Sequence, residues 1–402
     1  MVIEPWLAYV AIPPITAGVA WLTNWVGIKM LFFPVRFVGF WGIIGWQGII
    51  PRLRVRLTRT LVGFSVAKIA TPAEVLRALD ESEVVNDLAA LLTPQINDWV
   101  DEIIDEHGVK LWQVAPQGIR NKVYEKVREN VPDLARVILK ELEGRANSYL
   151  DIEQLAVDQV KDKPEFLNEL FLECAGKEMD FVIRSGIYFG APLGVIQALA
   201  WYFLPLPWVL PVFGVLAGAF TNWIALQLIA HPANPVKVGP FTVQGLYLKR
   251  QHEVSQLFGE TFCKNFLNSK VLVESLWEGP HADEVHRMVR RHVRGAIDEH
   301  MLAKFIAWAS LKDGGVGLVA DKSVKMAFGG IMRTVGSAEV NAQLTQPISD
   351  LIGSRMRALP PREFQQLLLP AFNEDQVLVV LVGGILGGFL GFMQLVLLFG
   401  GG

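Results

Sequence analysis

Between Arg184 and His231 the chain carries no charged side chain. That run limits the fold more than any other feature. About twenty apolar residues suffice to cross a hydrocarbon core, and this run holds enough for two crossings. Pro205-Leu206-Pro207 divides it, so it predicts a tight hairpin of two membrane helices. From Pro5 to Phe33 the sequence is uncharged until Lys29, which predicts another span, and Val377 to Phe399 predicts a fourth. The first span is expected to be retained rather than cleaved as a leader, because no basic segment precedes it and its closing motif recurs in mid-chain. Pro13-Pro14 inside it predicts a kink.

That closing motif is Thr23-Asn24-Trp25-Val26-Gly27-Ile28-Lys29-Met30-Leu31, and it returns as Thr221-Asn222-Trp223-Ile224-Ala225-Leu226-Gln227-Leu228-Ile229. In both places a proline follows three residues later (Pro34, Pro232), then a Gln-Gly pair (Gln47-Gly48, Gln244-Gly245) and basic residues. Gly186, Gly190, Gly194 and Gln197 return as Gly383, Gly387, Gly391 and Gln394, and Ile104-Asp105-Glu106-His107 echoes in Ile297-Asp298-Glu299-His300. The offset is roughly two hundred residues throughout, so the chain reads as one unit used twice. Spans one and three then run the same way, which makes the duplication parallel.

A chain that is 51% hydrophobic yet 19% charged is too apolar for an ordinary soluble protein and too charged for a compact bundle of membrane helices. Its charge is concentrated outside the apolar runs, where amphipathic helices broken by Pro94, Pro116, Pro132 and Pro164 are expected. Val100, Ile103 and Ile104 mark one such face, and Val123, Val127 and Val131 another. Thr71-Pro72-Ala73-Glu74 predicts a helix start with a capping box. No strand-like alternation is visible. The expected fold is therefore an all-α membrane protein with four transmembrane helices and two cytoplasmic helical domains. Residues 1–34 hold the first transmembrane helix, 35–50 an interfacial or re-entrant segment, and 51–180 the first helical domain. Residues 181–231 form the transmembrane hairpin, 232–248 a second interfacial segment, 249–373 the second helical domain and 374–402 the fourth span. Phe37, Phe40, Trp41 and Trp46 suit a membrane–water boundary. Lys312-Asp313-Gly314-Gly315 and Gly329-Gly330 predict loops or helix ends.

Arg36, Arg52, Arg54, Arg56, Arg59, Arg184, Lys237, Lys249 and Arg250 all flank the spans on the side of the helical domains. By the positive-inside rule those domains face the cytoplasm and the termini lie opposite. A net charge of −3 gives no global basic field, so nucleic acid is not an expected partner. Cys174 and Cys263 match no metal spacing and sit at non-equivalent places in the two halves, which excludes a disulfide framework or zinc site as the organising device.

The Thr-Asn-Trp block, the proline soon after it and the segment ending in Gly48-Ile49-Ile50-Pro51-Arg52 resemble the bacterial membrane proteins of the domain of unknown function 445 family. The resemblance is most specific over the first fifty or so residues and again from Asn222 to Arg250. The second copy departs from the pattern, with Gln227 where a lysine is typical and Leu248 in place of the proline. The resemblance implies a multi-pass place in the bacterial cytoplasmic (inner) membrane, and it implies no mechanism.

Several residues invite a function. Asn24 and Asn222 lie in apolar helices, where a polar group must find a partner. They either line a path or hold a headgroup across a pseudo-two-fold axis, or they bond helix to helix. Gln197 and Gln394 each follow a glycine ladder suited to close packing; if spans two and four pack together, the glutamines meet near the axis. Lys29, the one cation inside a span, either snorkels to the surface or supplies a counter-charge. Gln47 and Gln244 fit as donors to a turn or as binding groups. Arg52, Arg54, Arg56 and Arg59, with Lys249 and Arg250, suit contact with anionic lipid, or orientation alone. His281, His286, His292 and His300 lack the spacing of a metal site and have four arginines among them. No P-loop, nucleophile elbow, zinc-protease or dinucleotide motif is present, so no catalytic residue and no cofactor is expected.

The sequence is best matched by a non-enzymatic envelope scaffold or lipid-engaging protein. Membrane lipids are its expected partners, with a cytoplasmic protein and a second copy of the chain as further ones. The alternative is a transporter or channel with a polar site between the two repeats, made by Asn24, Asn222, Gln197 and Gln394. Only Lys29 offers a charge there, which disfavours a coupled ion pump.

Overall fold

The computed structural model describes residues 5–40, 44–106, 112, 114–299, 315–373 and 376–399. Trp41, His107, His300 and the loop expected at Lys312 to Gly314 lie outside the described residues. Helix α1, Pro5–Phe32, continues through Pro13 and Pro14. Strands β1 (Val38–Phe40) and β2 (Ile44–Trp46) follow, then α2 (Ile49–Arg52) and α3 (Arg54–Lys68). Helix α4, Pro72–Arg77, starts as its sequence predicts: the Thr71 hydroxyl accepts from the Glu74 amide while the Glu74 carboxylate accepts from the Thr71 amide. Asp80 caps α5, Glu81–Leu92, its carboxylate accepting from the Ser82 and Glu83 amides. The first half goes on with α6 (Ile96–Glu106), α7 (Gln117–Tyr149), α8 (Ile152–Asp162) and the 39-residue α9 (Glu165–Phe203).

The order of elements then repeats. Helix α10, Val209–Ala230, leads to β3 (Val236–Val238), β4 (Phe241–Val243), α11 (Leu246–Lys249) and α12 (Gln251–Phe266). After these come α13 (Ser269–Glu278), α14 (Ala282–Glu299), α15 (Gly315–Val335), α16 (Ala338–Ala358), α17 (Pro361–Asn373) and α18 (Gln376–Phe399). The expectation of an all-helical chain needs correction in two places. The segments expected to lie flat or re-enter as 35–50 and 232–248 are each built on an antiparallel β-hairpin, with Val38 opposite Trp46 and Val236 opposite Val243. Strands of three residues are too short for alternation to show in a sequence. Gly239 turns the second hairpin at φ +60°, a left-handed position that favours glycine.

The chain divides into two compact units, and the division differs from the expected domains. The first unit comprises Met1–Phe64, Val157–Thr261 and Ser354–Gly402. Within it α1 packs along α9 and α10 along α18, with α9 against α10 and α1 against both α10 and α18. Among the described residues, α1 (from Tyr9), α9, α10 and α18 are the four helices long and apolar enough to cross a membrane. Glycines make the two close pairs possible. A Cβ on Gly186 would stand 2.6 Å from the Ala20 carbonyl oxygen, and one on Gly194 2.5 Å from the Pro13 Cα. The hairpin expected from residue 181 is thus the end of a longer helix, since α9 already begins at Glu165.

The second unit comprises Ser65–Ala156 and Phe262–Gly353. This unit draws helices from both stretches expected as helical domains, 51–180 and 249–373. Helix α7 packs against α4, α5, α6 and α14, and α15 against α5, α6, α13 and α14. The reason is that amphipathic helices from either half turn apolar stripes toward one another. Tyr149 from the first half is buried with Val285 and Met288 from the second, and Ile138, Leu142 and Leu276 pack around them.

Candidate functional site

The asparagines of the repeated motif are spent on helix pairing. Asn24, 1% exposed, donates from Nδ2 to the Val182 carbonyl of α9 at 2.7 Å, and Asn222, also 1% exposed, donates to the Val379 carbonyl of α18 at 2.9 Å. The Thr221 hydroxyl of α10 donates to Asn24 Oδ1 at 3.4 Å, which ties the first helix pair to the second. The asparagines do not bond each other; each satisfies a backbone carbonyl on the neighbouring helix. A buried amide in this position bonds one helix to the next.

The glutamines differ from each other. Gln197 accepts from the Thr16 hydroxyl at 2.6 Å and donates to the Leu210 carbonyl at 3.3 Å. Gln394, 4% exposed, has an Nε2 with no partner. Its counterpart of Thr16 is Gly214, which lies against Gly387 and has no hydroxyl to offer. Helices α9 and α18 do not form a packed pair, so the expected meeting of the two glutamines is corrected: Gln197 reaches α1 and α10 instead. Gln394→Leu should therefore be neutral or slightly stabilising. Gln197→Leu should cost roughly 1–2 kcal/mol, because it strips two satisfied bonds. Thermal melting of both variants in detergent checks the contrast, and equal losses would show that Gln394 also has a partner.

Gln47 and Gln244 hold the hairpin bases. Gln47 Nε2 donates to the Val35 carbonyl at 2.9 Å and Gln244 Nε2 to Ala233 at 3.1 Å. The glycines that follow lie on the end of the preceding helix. A Cβ on Gly48 would sit 2.7 Å from the Phe32 carbonyl carbon, and one on Gly245 2.7 Å from the Ile229 oxygen. A pair that sequence reading missed completes each joint. Asn168 Nδ2 donates to the Phe32 carbonyl and Gln365 Nε2 to the Ala230 carbonyl, each at 2.7 Å. Both cap the last carbonyls of an apolar helix.

The basic residues also separate. Lys29 is exposed, with its ammonium 5.2 Å from the Phe33 ring, so it leaves the helix interior rather than joining Asn24. Arg52, Arg56, Arg59 and Lys249 are exposed, and Arg54 is half-buried. Arg250 stands apart from them. Its Nη1 donates to both oxygens of Glu178, 2.7 and 2.6 Å away, and its Nε donates to Glu253 at 2.9 Å. Lys177 adds a bond to Glu253 at 2.6 Å. Arg250 is thereby paired within the fold, unlike its exposed neighbour Lys249. The bonds from Arg250 and Lys177 pull the Glu253 carboxyl from 4.5 down to about 2. A depressed carboxyl stabilises the fold above its ordinary range and loses that contribution as pH falls through its folded value. The melting-temperature gap between wild type and Glu253→Gln should accordingly hold at neutral pH and close between about pH 4.5 and 2. A gap that stays constant across that window would refute the coupling.

The histidines disperse too. His281 lies near Glu284, His286 packs on Trp277 at 4.0 Å, and His292 pairs with Glu141. Of the buried thiols, Cys263 has its pKa raised by burial, and it is no nucleophile.

Within the second unit lies a cavity of about 480 Å³ that no sequence motif marks. Its walls come from α5, α6, α7, α13, α14, α15 and α16, and they are apolar apart from Lys126, Asn130, Ser269 and Ser323. Val123, Val127 and Val131, the stripe recognised in the sequence, line it together with Val285, Val289 and Val293 from α14. Trp277 forms part of the wall and is stacked on Phe328 at 4.1 Å. Lys126 and Asn130 stand one turn apart on α7, joined by the Asn130 side-chain bond to the Lys126 carbonyl, and Lys126 is exposed. The wall therefore reaches solvent at its most polar point.

No family model matches the chain, and no solved structure does. The resemblance to the domain of unknown function 445 proteins thus rests on motif alone. A UPF0754 membrane protein of Nostoc sp. (strain PCC 7120) is 27% identical over 177 residues, which is 42% of this chain and 40% of that protein. The chain therefore aligns with less than half of its relative's length. Four long apolar helices and similarity to a bacterial membrane protein of uncharacterised family make this chain a helical membrane protein.

Proposed function

We propose that this is a lipid-engaging protein of the bacterial inner membrane, a duplicated four-span chain whose extramembrane helices face the cytoplasm and hold the hydrocarbon chain of a lipid. The cavity carries the reading. Its walls are apolar almost throughout, so contact with water there forgoes the burial that an apolar occupant would supply. Water is a poor occupant, because the walls offer few polar partners. The volume falls within the ~300–1,000 Å³ of ordinary ligand sites. A lipid chain meets the chemistry of the walls, and Lys126 with Asn130 suits a headgroup at the exposed end.

The membrane bundle supports the same reading against a transporter. Asn24, Asn222 and Gln197 each spend a side-chain amide on a neighbouring helix, which favours a packing role for them, whereas Gln394 keeps an unpartnered Nε2. The basic flanks support a cytoplasmic place for the second unit by the positive-inside rule. The test is to purify the full chain in nanodiscs, exchange it into detergent, and record retained lipid by native mass spectrometry. A defined lipid that survives exchange is the expected result. Protein that is stable, cooperative in melting and free of lipid would overturn the reading.

A further inference from the structure

The two halves meet the same local problem in different ways just beyond their hairpins. In the second half, Gln251 at the start of α12 spends its Nε2 on carbonyls at and just beyond the end of α16, with Leu359 O at 2.8 Å and Arg357 O at 3.2 Å. One turn later the Ser255 hydroxyl donates back to the Gln251 carbonyl at 2.6 Å. Both polar groups are satisfied within the fold. Counted from the Gln-Gly pairs, the same positions in the first half are Arg54 and Thr58 on α3.

There each position keeps one donor without a partner. Arg54 donates once, from Nη1 to the Pro51 carbonyl at 3.0 Å, and its buried Nε has no acceptor. Thr58, 2% exposed, has a hydroxyl with no partner either. Residues four apart on a helix share a face, so the two empty donors lie together. The charge around them also differs. The first turn of α3 contains no acidic residue, whereas the matching turn of α12 carries Glu253. Glu178, which neutralises Arg250 in the second half, makes no bond to Arg54. A guanidinium and a hydroxyl donating from one face are recognition elements of a phosphate.

We propose that Arg54 and Thr58 form a phosphate-binding site in the first half alone, taking the phosphate of an anionic lipid or of a soluble phosphoester. The site is separate from the cavity, and its failure would leave the cavity reading standing. Arg54→Gln installs the residue of the second half, and Thr58→Val removes only the hydroxyl. Lys249→Gln removes an exposed charge from the second half and serves as the control.

The experiment titrates phosphatidylglycerol onto full-length protein in phosphatidylcholine nanodiscs, with binding read by native mass spectrometry. The expected result is at least a tenfold loss of apparent affinity in Arg54→Gln and Thr58→Val, and wild-type binding in Lys249→Gln. Displacement of the lipid by millimolar inorganic phosphate or glycerol phosphate assigns the site to soluble phosphate, and its absence assigns it to the headgroup. Equal losses in all three variants would show diffuse surface charge and overturn the proposal. So would unchanged binding in Thr58→Val, which keeps the charge and tests the site even if Arg54→Gln fails to fold. A purely structural hydroxyl would shift the melting temperature in Thr58→Val and leave phosphate binding where it was.

Discussion

Val127→Phe combined with Ala327→Phe should strip the bound lipid from the protein and leave it folded. Both residues line the cavity, one on α7 and the other on α15, so two added rings fill space from different walls. Burying a methylene is worth about 0.8 kcal/mol, so ten buried chain carbons supply roughly 8 kcal/mol, the affinity of a micromolar ligand. Rings occupying that space remove most of it. Retained lipid should fall at least tenfold, as measured in the organic extract of matched preparations. Stability separates this outcome from simple damage. Filling an empty void lowers its cost, so lipid-free variant should melt above lipid-free wild type. Lipid-loaded wild type should melt higher than lipid-free wild type, because a ligand bound only to the native state adds RT ln(1 + [L]/Kd). Lipid retained at the wild-type level would sink the cavity reading.

The sequence made the membrane part readable because few physical solutions exist there. Glycines four apart in an apolar helix have little use besides close approach, and Gly186, Gly190 and Gly194 lie against α1 as that pattern predicts. An asparagine in such a helix must bond, and Asn24 does. The partners were not readable, because they depend on which helices become neighbours. Gln197 and Gln394 look alike in sequence, and only the packing reveals that Thr16 faces one and Gly214 stands in for it at the other. Arg250 looks like its exposed neighbour Lys249 until Glu178, far away in the chain, closes on it. The cavity was hidden for a simpler reason. A stripe such as Val123, Val127 and Val131 has the same periodicity whether it faces packed side chains or open space. The hairpins escaped because three-residue strands give no period to count.

Gly218→Val should cost the protein its folded membrane bundle. A Cβ at Gly218 would fall almost on the Gly383 carbonyl oxygen, and one at Gly214 almost on that of Gly387. The obstacle is backbone, which cannot rotate aside as a side chain can. Overpacking typically costs ~1–3 kcal/mol where side chains yield. Here α10 and α18 must separate along their length, and the loss should be several kcal/mol. Separation also removes the Asn222 bond to the Val379 carbonyl, since one approach of the helices serves both. Asn222→Leu alone keeps the glycine contacts and loses one interhelical bond, so it should cost less, about 0.6–2 kcal/mol. Gly63 supplies the control, because a Cβ there meets nothing within 4 Å, and Gly63→Ala should gain up to about 1 kcal/mol from helix propensity. Melting of the three purified variants in one detergent orders them Gly63→Ala, Asn222→Leu, Gly218→Val from most to least stable. If Gly218→Val melted within a few degrees of wild type, the two helices could not be as close as the glycines place them.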